Sequence, residues 1–236
     1  MLGGELDPVV RGQWPGYRRG PVNDVTVSGS YVYVAAGGLQ VIDIADAADP
    51  HWVGGCLTNG TASGVTLSGN YAYVADGSSL AMIDVSSPAQ PQRLGTYATN
   101  GWYAAGVAVS GDYAYMADGA GLMTIDISNP AHPYRVGGNS SIARSYGVVL
   151  SQGKVFVAAA QDGLVILEML PFIKSTIHRD CQVQISWEGF GAPVLLQKTA
   201  RLTAPDWWTI PGSDTTNNMA LPASSLDAEF FRLVKP

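Results

Sequence analysis

A chain of 236 residues with 47% hydrophobic and only 14% charged residues, 28 Gly and 14 Pro has the composition of a folded, turn-rich protein and not of a disordered one. Its net charge is −6, and the excess acid lies in residues 1–171, which hold 7 Lys/Arg against 13 Asp/Glu, while residues 172–236 hold 6 of each. An acidic domain without a basic stripe would repel a phosphate backbone, which excludes a nucleic-acid partner; no run approaches the ~18 apolar residues of a membrane span, and no signal peptide is visible at Met1.

The first predicted element is a lone strand around Pro8 to Trp14. After it the chain repeats. Val25-Thr26-Val27-Ser28-Gly29-Ser30-Tyr31-Val32-Tyr33-Val34-Ala35 returns from Val65 to Ala75, again from Val107 to Ala117, and in a worn copy from Val148 to Ala158. Its serines stand at 28, 68, 110 and 151. A second landmark follows each copy: Val41-Ile42-Asp43-Ile44, Met82-Ile83-Asp84-Val85, Thr124-Ile125-Asp126-Ile127 and Val165-Ile166-Leu167-Glu168. A third, Pro-x-x-x-Gly, stands at Pro8/Gly12, Pro50/Gly54, Pro91/Gly95 and Pro133/Gly137.

Each unit reads as four strands, A to D from the inside outward. An apolar strand ends in Ser-Gly, a tight turn leads to the alternating Tyr-x-Tyr strand, a turn such as Asp76-Gly77 leads to the Ile-Asp strand, and a Pro corner leads to the strand through Gly95. A period near 41 with four strands is the signature of a propeller blade. The last unit has A, B and C only, and the orphan first strand supplies its D. The expected fold is therefore all-β: a four-bladed β-propeller over residues 1–171, closed by the N-terminal strand so that no edge stays open, plus a small β-sandwich-like domain over 172–236. In the tail, Val183–Trp187, Val194–Lys198, Trp207–Ile210, Met219–Leu221 and Phe230–Leu233 read as short strands between Gly, Pro, Asn and Asp.

The repeat resembles the LVIVD repeat family, named for its strand C motif, which stands here as Leu39-Gln40-Val41-Ile42-Asp43 and Leu122-Met123-Thr124-Ile125-Asp126. The resemblance covers about residues 5–170, with three landmarks in phase. Such repeats are generally associated with bacterial and archaeal surface or exported proteins without a common activity. The resemblance thus implies a propeller and an extracellular or cell-surface location, and brings no catalytic residues with it. The tail is similar to the small immunoglobulin- or fibronectin-like sandwiches that end many secreted bacterial proteins, through its Leu-Gln strand, its tryptophans before Thr-Ile and its closing Phe-Phe-Arg-Leu. Such tails serve as spacers or attachment modules.

Asp43, Asp84, Asp126 and Glu168 could be read as a ring of catalytic or metal-binding acids. Their recurrence at one point in every blade fits a corner cap better, a carboxylate bonding backbone N–H groups as in an Asx turn. Asp43, Asp46 and Asp49 could suit Ca²⁺, but Asp46 replaces Ser87 and Asn129 and no Asp-x-Asp-x-Asp-Gly loop exists. His51, His132 and His178 share no metal-ligand spacing. Cys56 and Cys181 are compatible with a bridge or with two separate thiols. No metal, cofactor or catalytic residue is expected, and the chain is read as no enzyme.

What escapes the repeat is the loop from strand D into the next strand A. These loops hold Tyr17, Arg18 and Arg19; Asn59 and Thr61; Asn100, Trp102 and Tyr103; and Arg144 and Tyr146. Aromatic and Arg side chains on variable loops are what binding surfaces use. Channel plugging is the competing role for Trp102 and Tyr103. The expected function is a non-catalytic, exported interaction module that binds a protein or glycan partner, with Trp102, Tyr103 and Arg144 foremost. Self-assembly into a filament or lattice and a glycan-active enzyme are the alternatives, the last on fold analogy alone.

Overall fold

The structure, a computed structural model, describes residues 8–15, 20–99, 103–142 and 144–169, and in the C-terminal part the strand segments 172–178, 182–188, 195–199, 208–209, 218–222 and 230–234. All regular elements described are β-strands, and among the described residues no helix is long and apolar enough to cross a membrane. The chain forms two compact units, one of Met1–Leu150 with Phe156–Ile166 and one of Ser151–Val155 with Leu167–Pro236.

In the first unit the repeat becomes sheets. Strands β1 (Asp24–Ser28), β2 (Tyr31–Ala35), β3 (Leu39–Asp43) and β4 (His51–Cys56) form one antiparallel sheet in chain order. So do β5 (Gly64–Ser68), β6 (Tyr71–Ala75), β7 (Ser79–Asp84) and β8 (Gln92–Ala98), and β9 (Gly106–Ser110), β10 (Tyr113–Asp118), β11 (Gly121–Asp126) and β12 (Tyr134–Asn139). The worn fourth copy gives β13 (Ser145–Ser151), β14 (Lys154–Ala159) and β15 (Gly163–Glu168), a sheet of three.

The landmarks have backbone reasons. The turn after each first strand needs a left-handed residue, supplied by Gly29, Gly69 and Gly111 at φ 57, 55 and 55. In each C–D pair the register slips at one place, Val41/Ile42, Met82/Ile83 and Thr124/Ile125, so Val53, Leu94 and Val136 are bulged beside the landmark glycine. That glycine is where blades meet. A Cβ on Gly54 would strike the carbonyl of Pro88 and Ala89 at the next blade's corner, and one on Gly95 would strike Pro130 and Ala131. Gly137, which has no such corner to meet, has only Thr124 nearby, at 3.9 Å.

Blades stack back to front. Tyr33, Ala35, Leu39 and Val41 of the first sheet share a core with Val65, Ala72, Val74 and Ile83 of the second. Tyr73, Ala75, Leu80 and Met82 of the second do the same with Val107, Ala114, Met116 and Ile125 of the third. The two end faces lack this cover. Val25 is 54% exposed where its counterpart Val65 is 5%, and Leu164 is 67% exposed where its counterpart Leu80 is 0%.

The expected pairing of the N-terminal strand with the last sheet is not seen: residues 8–15 are irregular and form no ladder with β15 among the described residues. The reason lies in what anchors them. Trp14 packs on Val34, Ala36 and Ile42 of the first sheet, and Gly12 sits against Ala47 and Pro50 as Gly54 sits against Pro88 and Ala89. The segment thus occupies the place of a D strand preceding the first blade.

In the second unit β16 (Phe172–His178), β17 (Gln182–Glu188), β18 (Leu195–Thr199), β19 (Trp208–Thr209), β20 (Asn218–Pro222) and β21 (Phe230–Val234) form two antiparallel sheets, β16-β17-β20 and β19-β18-β21. Five of these overlap the expected tail strands. β16 was not anticipated; it pairs along its whole length, from Phe172 opposite Glu188 to His178 opposite Gln182.

Candidate binding face

The repeated acids close corners. One carboxylate oxygen of Asp43, Asp84 and Asp126 accepts the N–H two residues on, from Ala45, Ser86 and Ser128, at 2.8, 2.8 and 2.9 Å. The Ser86 side chain, together with its backbone N–H, holds the Asp84 carboxyl below its ordinary range. Asp46 accepts from Ala48 and Asn129 from Ala131 in the next turn, which explains why the two interchange. Among the described residues no group of three or more His, Cys, Asp or Glu converges. Cys56 is a half-buried free thiol, and Cys181 lies outside the described residues.

The opposite ends of the strands carry the variable loops. There the buried Asp76 ties the loop into the second blade to that blade's own B-to-C turn. One oxygen accepts the N–H groups of Ser78 and Ser79 and both hydroxyls, and the other accepts the N–H groups of Asn59 and Gly60 at 3.0 and 3.3 Å. Asn59 in turn accepts from Arg93 at 2.8 Å, so this residue serves the fold. Asp118 occupies the same turn in the third blade. Its first oxygen accepts from Ala120 at 2.8 Å, but its buried second oxygen has no hydrogen-bond partner, and burial raises its carboxyl above the ordinary value. Neighbouring blades are joined on this side too, by Gly77 and Ala104 bonding each other at 3.1 and 3.3 Å.

Tyr103 lies over that joint. Its ring stands 3.3 Å from where a Cβ on Gly77 would be, and its hydroxyl accepts from Ser63 at 2.8 Å, while 53% of the residue stays exposed. Ser63 also lines a cavity of about 400 Å³ at the centre of the face, with Asn23, Asp24, Gly106, Tyr146 and Phe156. Residues of all four repeat units therefore meet there. Asp24 breaks their pattern: the equivalent residue is Gly64, Gly106 and Gly147 in the other units. A Cβ on Gly64 would lie 2.9 Å from the Ala105 carbonyl oxygen, and one on Gly106 3.0 Å from that of Tyr146, so inner strands touch at these points. Asp24 instead reaches across with its side chain, accepting Val65 N–H at 2.8 Å and its neighbour Val25 N–H at 2.9 Å.

Of the sequence-predicted residues, Tyr146 lines the cavity and Tyr103 is linked to it through Ser63. Arg144 is exposed and held left-handed at φ 48, its carbonyl accepting from Ala160 at 3.2 Å. Arg18, Arg19, Tyr17, Asn100 and Trp102 lie outside the described residues. Asp24 and Asp118 were not singled out from the sequence.

The LVIVD repeat matches residues 19–58, 59–99 and 101–138, half of the chain. This chain belongs to the LVIVD repeat family. Each LVIVD copy runs from a D-to-A loop through one four-stranded sheet, and the worn fourth unit lies beyond the third copy. No curated protein matches the chain. Among solved structures, the chain resembles the computationally designed Ika4 protein at 13% identity and TM-score 0.52, over 71% of this chain and 99% of that one. The computationally designed Ika8 protein follows at 10% identity and TM-score 0.51, over 72% of this chain and 58% of that one, so the chain spans little more than half of Ika8. A functionally unknown protein from Desulfotomaculum acetoxidans is similar at 12% identity and TM-score 0.48, over 85% of this chain and 61% of that one. At these identities the first two show the fold alone, a repeated, propeller-like array of β-sheets.

Proposed function

We propose that this LVIVD protein is a non-catalytic, exported interaction module, with a four-bladed propeller closed by its N-terminal segment and an immunoglobulin- or fibronectin-like tail as spacer or anchor. The observation that carries it is the cavity of about 400 Å³ where the pattern-breaking loops gather, walled by Tyr146 and flanked by Tyr103. Half-exposed aromatic rings, one already fixed by a hydroxyl bond, offer contact area at little cost in conformational entropy, and an Arg beside them adds directional donors. Closure is supported by Gly12, which docks on the first blade as Gly54 and Gly95 dock on the blades after theirs, and by the matching bare faces around Val25 and Leu164. The partner is a protein, with glycans as the second class.

The test compares wild type with the triple variant Tyr103→Ala, Arg144→Ala, Tyr146→Ala in cross-linking and glycan-array experiments. A partner held by the wild type and lost by the folded variant supports the module. Equal capture by both, or turnover of an arrayed glycan, rejects it. A second arrangement is favoured by the bare end faces: copies joined head to tail, the back of one fourth blade on the front of the next first blade, a contact that need not close. A particle mass above that of one chain, rising with concentration, distinguishes it.

A further inference from the structure

We infer that the cavity at the centre of this face takes a primary ammonium group, the end of a lysine side chain of the protein partner. The inference rests on the binding face proposed above and names what that face recognises. Among the described residues Asp24 supplies the only carboxylate on the cavity wall, at the one position where the other units carry glycine. Its two oxygens each accept one backbone N–H, from Val25 and Val65, which fixes the group in place and leaves a further lone pair on each. Asn23 beside it is turned by its amide donor onto the Ala62 carbonyl at 2.7 Å, so its side-chain oxygen remains an acceptor. A lysine ammonium is a compact charge with three donors and no acceptor, which matches a wall of acceptors.

The apolar wall suits the rest of such a side chain. Tyr146 lines the same cavity, and a lysine stem packs on an aromatic ring while its charge is drawn to the ring face. Closure of the ring would cover Phe156 and Leu164 but leave Asp24, Asn23, Ser63 and Tyr146, which stand at the starts of the inner strands or in the loops before them.

The probe is N-acetyl-lysine-N-methylamide, with its Nε-acetylated form as the uncharged match, titrated into the full chain while the amide signals of Gly64, Gly106 and Gly147 are followed by NMR. Saturable shifts of these three signals with the lysine compound, absent with the acetylated one, are expected. Asp24→Asn should weaken binding about tenfold or more, as loss of a charge-assisted contact does, and Tyr146→Ala severalfold. Shifts of equal size with both compounds, unchanged shifts in Asp24→Asn, or none at any concentration overturn the inference. Should Asp24→Asn fail to fold, the comparison of the two compounds on wild type still decides. Loss of the partner in the triple variant, together with no response to the lysine compound, would leave the binding face standing and remove only its lysine.

Discussion

Gly95 stands so close to the carbonyl oxygen of Pro130 that a Cβ on it would collide, and this contact is the hinge pin between the second and third blades. The glycine of the Pro-x-x-x-Gly landmark therefore answers a packing requirement between blades. Gly95→Ala should cost about 2–3 kcal/mol, as overpacking against rigid backbone does. Gly137→Ala, with nothing nearer than 3.9 Å, should stay within about 0.5 kcal/mol of wild type. Urea denaturation of both variants checks this, and equal losses would refute the inter-blade role.

Gly12 belongs to the same series, since a Cβ there would strike the Ala47 carbonyl. Deleting residues 1–14 removes that joint and Trp14, and is expected to lower stability by about 2–4 kcal/mol through lost apolar burial. An unchanged melting temperature would mean that the segment contributes nothing to closing the array.

The sheets were legible because every unit repeats the same backbone demands: a left-handed Gly29, Gly69 or Gly111, a bulge, and a corner acid. The worn unit keeps the turn with Gln152 at φ 48, which is why its phase could still be read. Three things were not legible. Asp76 looks like any turn Asp; its two-sided role shows only in the coincidence of Thr58-Asn59-Gly60 and Thr99-Asn100-Gly101 with Asp76 and Asp118, where the other units have Ala36 and Ala159. Asp24 could have been found as the one side chain in a column of glycines, but what that column does is set by contacts between blades. The position of the N-terminal segment depends on tertiary anchors, Gly12 and Trp14, that a strand pattern does not express.

The two buried turn acids should respond in opposite ways. Asp118 has an unbonded buried oxygen, and burial raises its carboxyl, with the N–H groups of Ala120 and Gly121 and the charge of Arg135 pulling the other way. A raised folded value means that the native state binds the proton more tightly, so this group's contribution is most favourable below the ordinary carboxylate range and declines as pH rises through the folded value. Asp118→Asn should stabilise the protein at pH 7 by about 1 kcal/mol and flatten that decline. Asp76→Asn turns an amide donor toward Asn59 and Gly60 N–H or loses the serine bonds, and should cost about 2 kcal/mol or more. Melting curves from pH 4 to 8 separate the two.

Arg144 holds a left-handed backbone that a glycine would adopt without strain. Arg144→Gly is expected to leave stability unchanged or raise it by up to about 1 kcal/mol while weakening the partner. The same change at Gln152, which carries no candidate role, should stabilise by a similar amount and leave binding alone. Loss of stability in Arg144→Gly would assign the guanidinium to the fold.

In the proposed arrangement one chain completes its own ring and so presents one binding face. The most direct test is thiol labelling of Leu164→Cys in a background with Cys56→Ser and Cys181→Ser, beside Tyr134→Cys as an exposed reference and Leu80→Cys as a buried one. If the fourth blade closes on the first, Leu164→Cys should label slower than Tyr134→Cys by about two orders of magnitude, as an opening cost of a few kcal/mol demands, and the labelled particle should have the mass of a single chain. Labelling as fast as Tyr134→Cys, or protection seen only in a particle of more than one chain, would mean that a single chain does not close its ring.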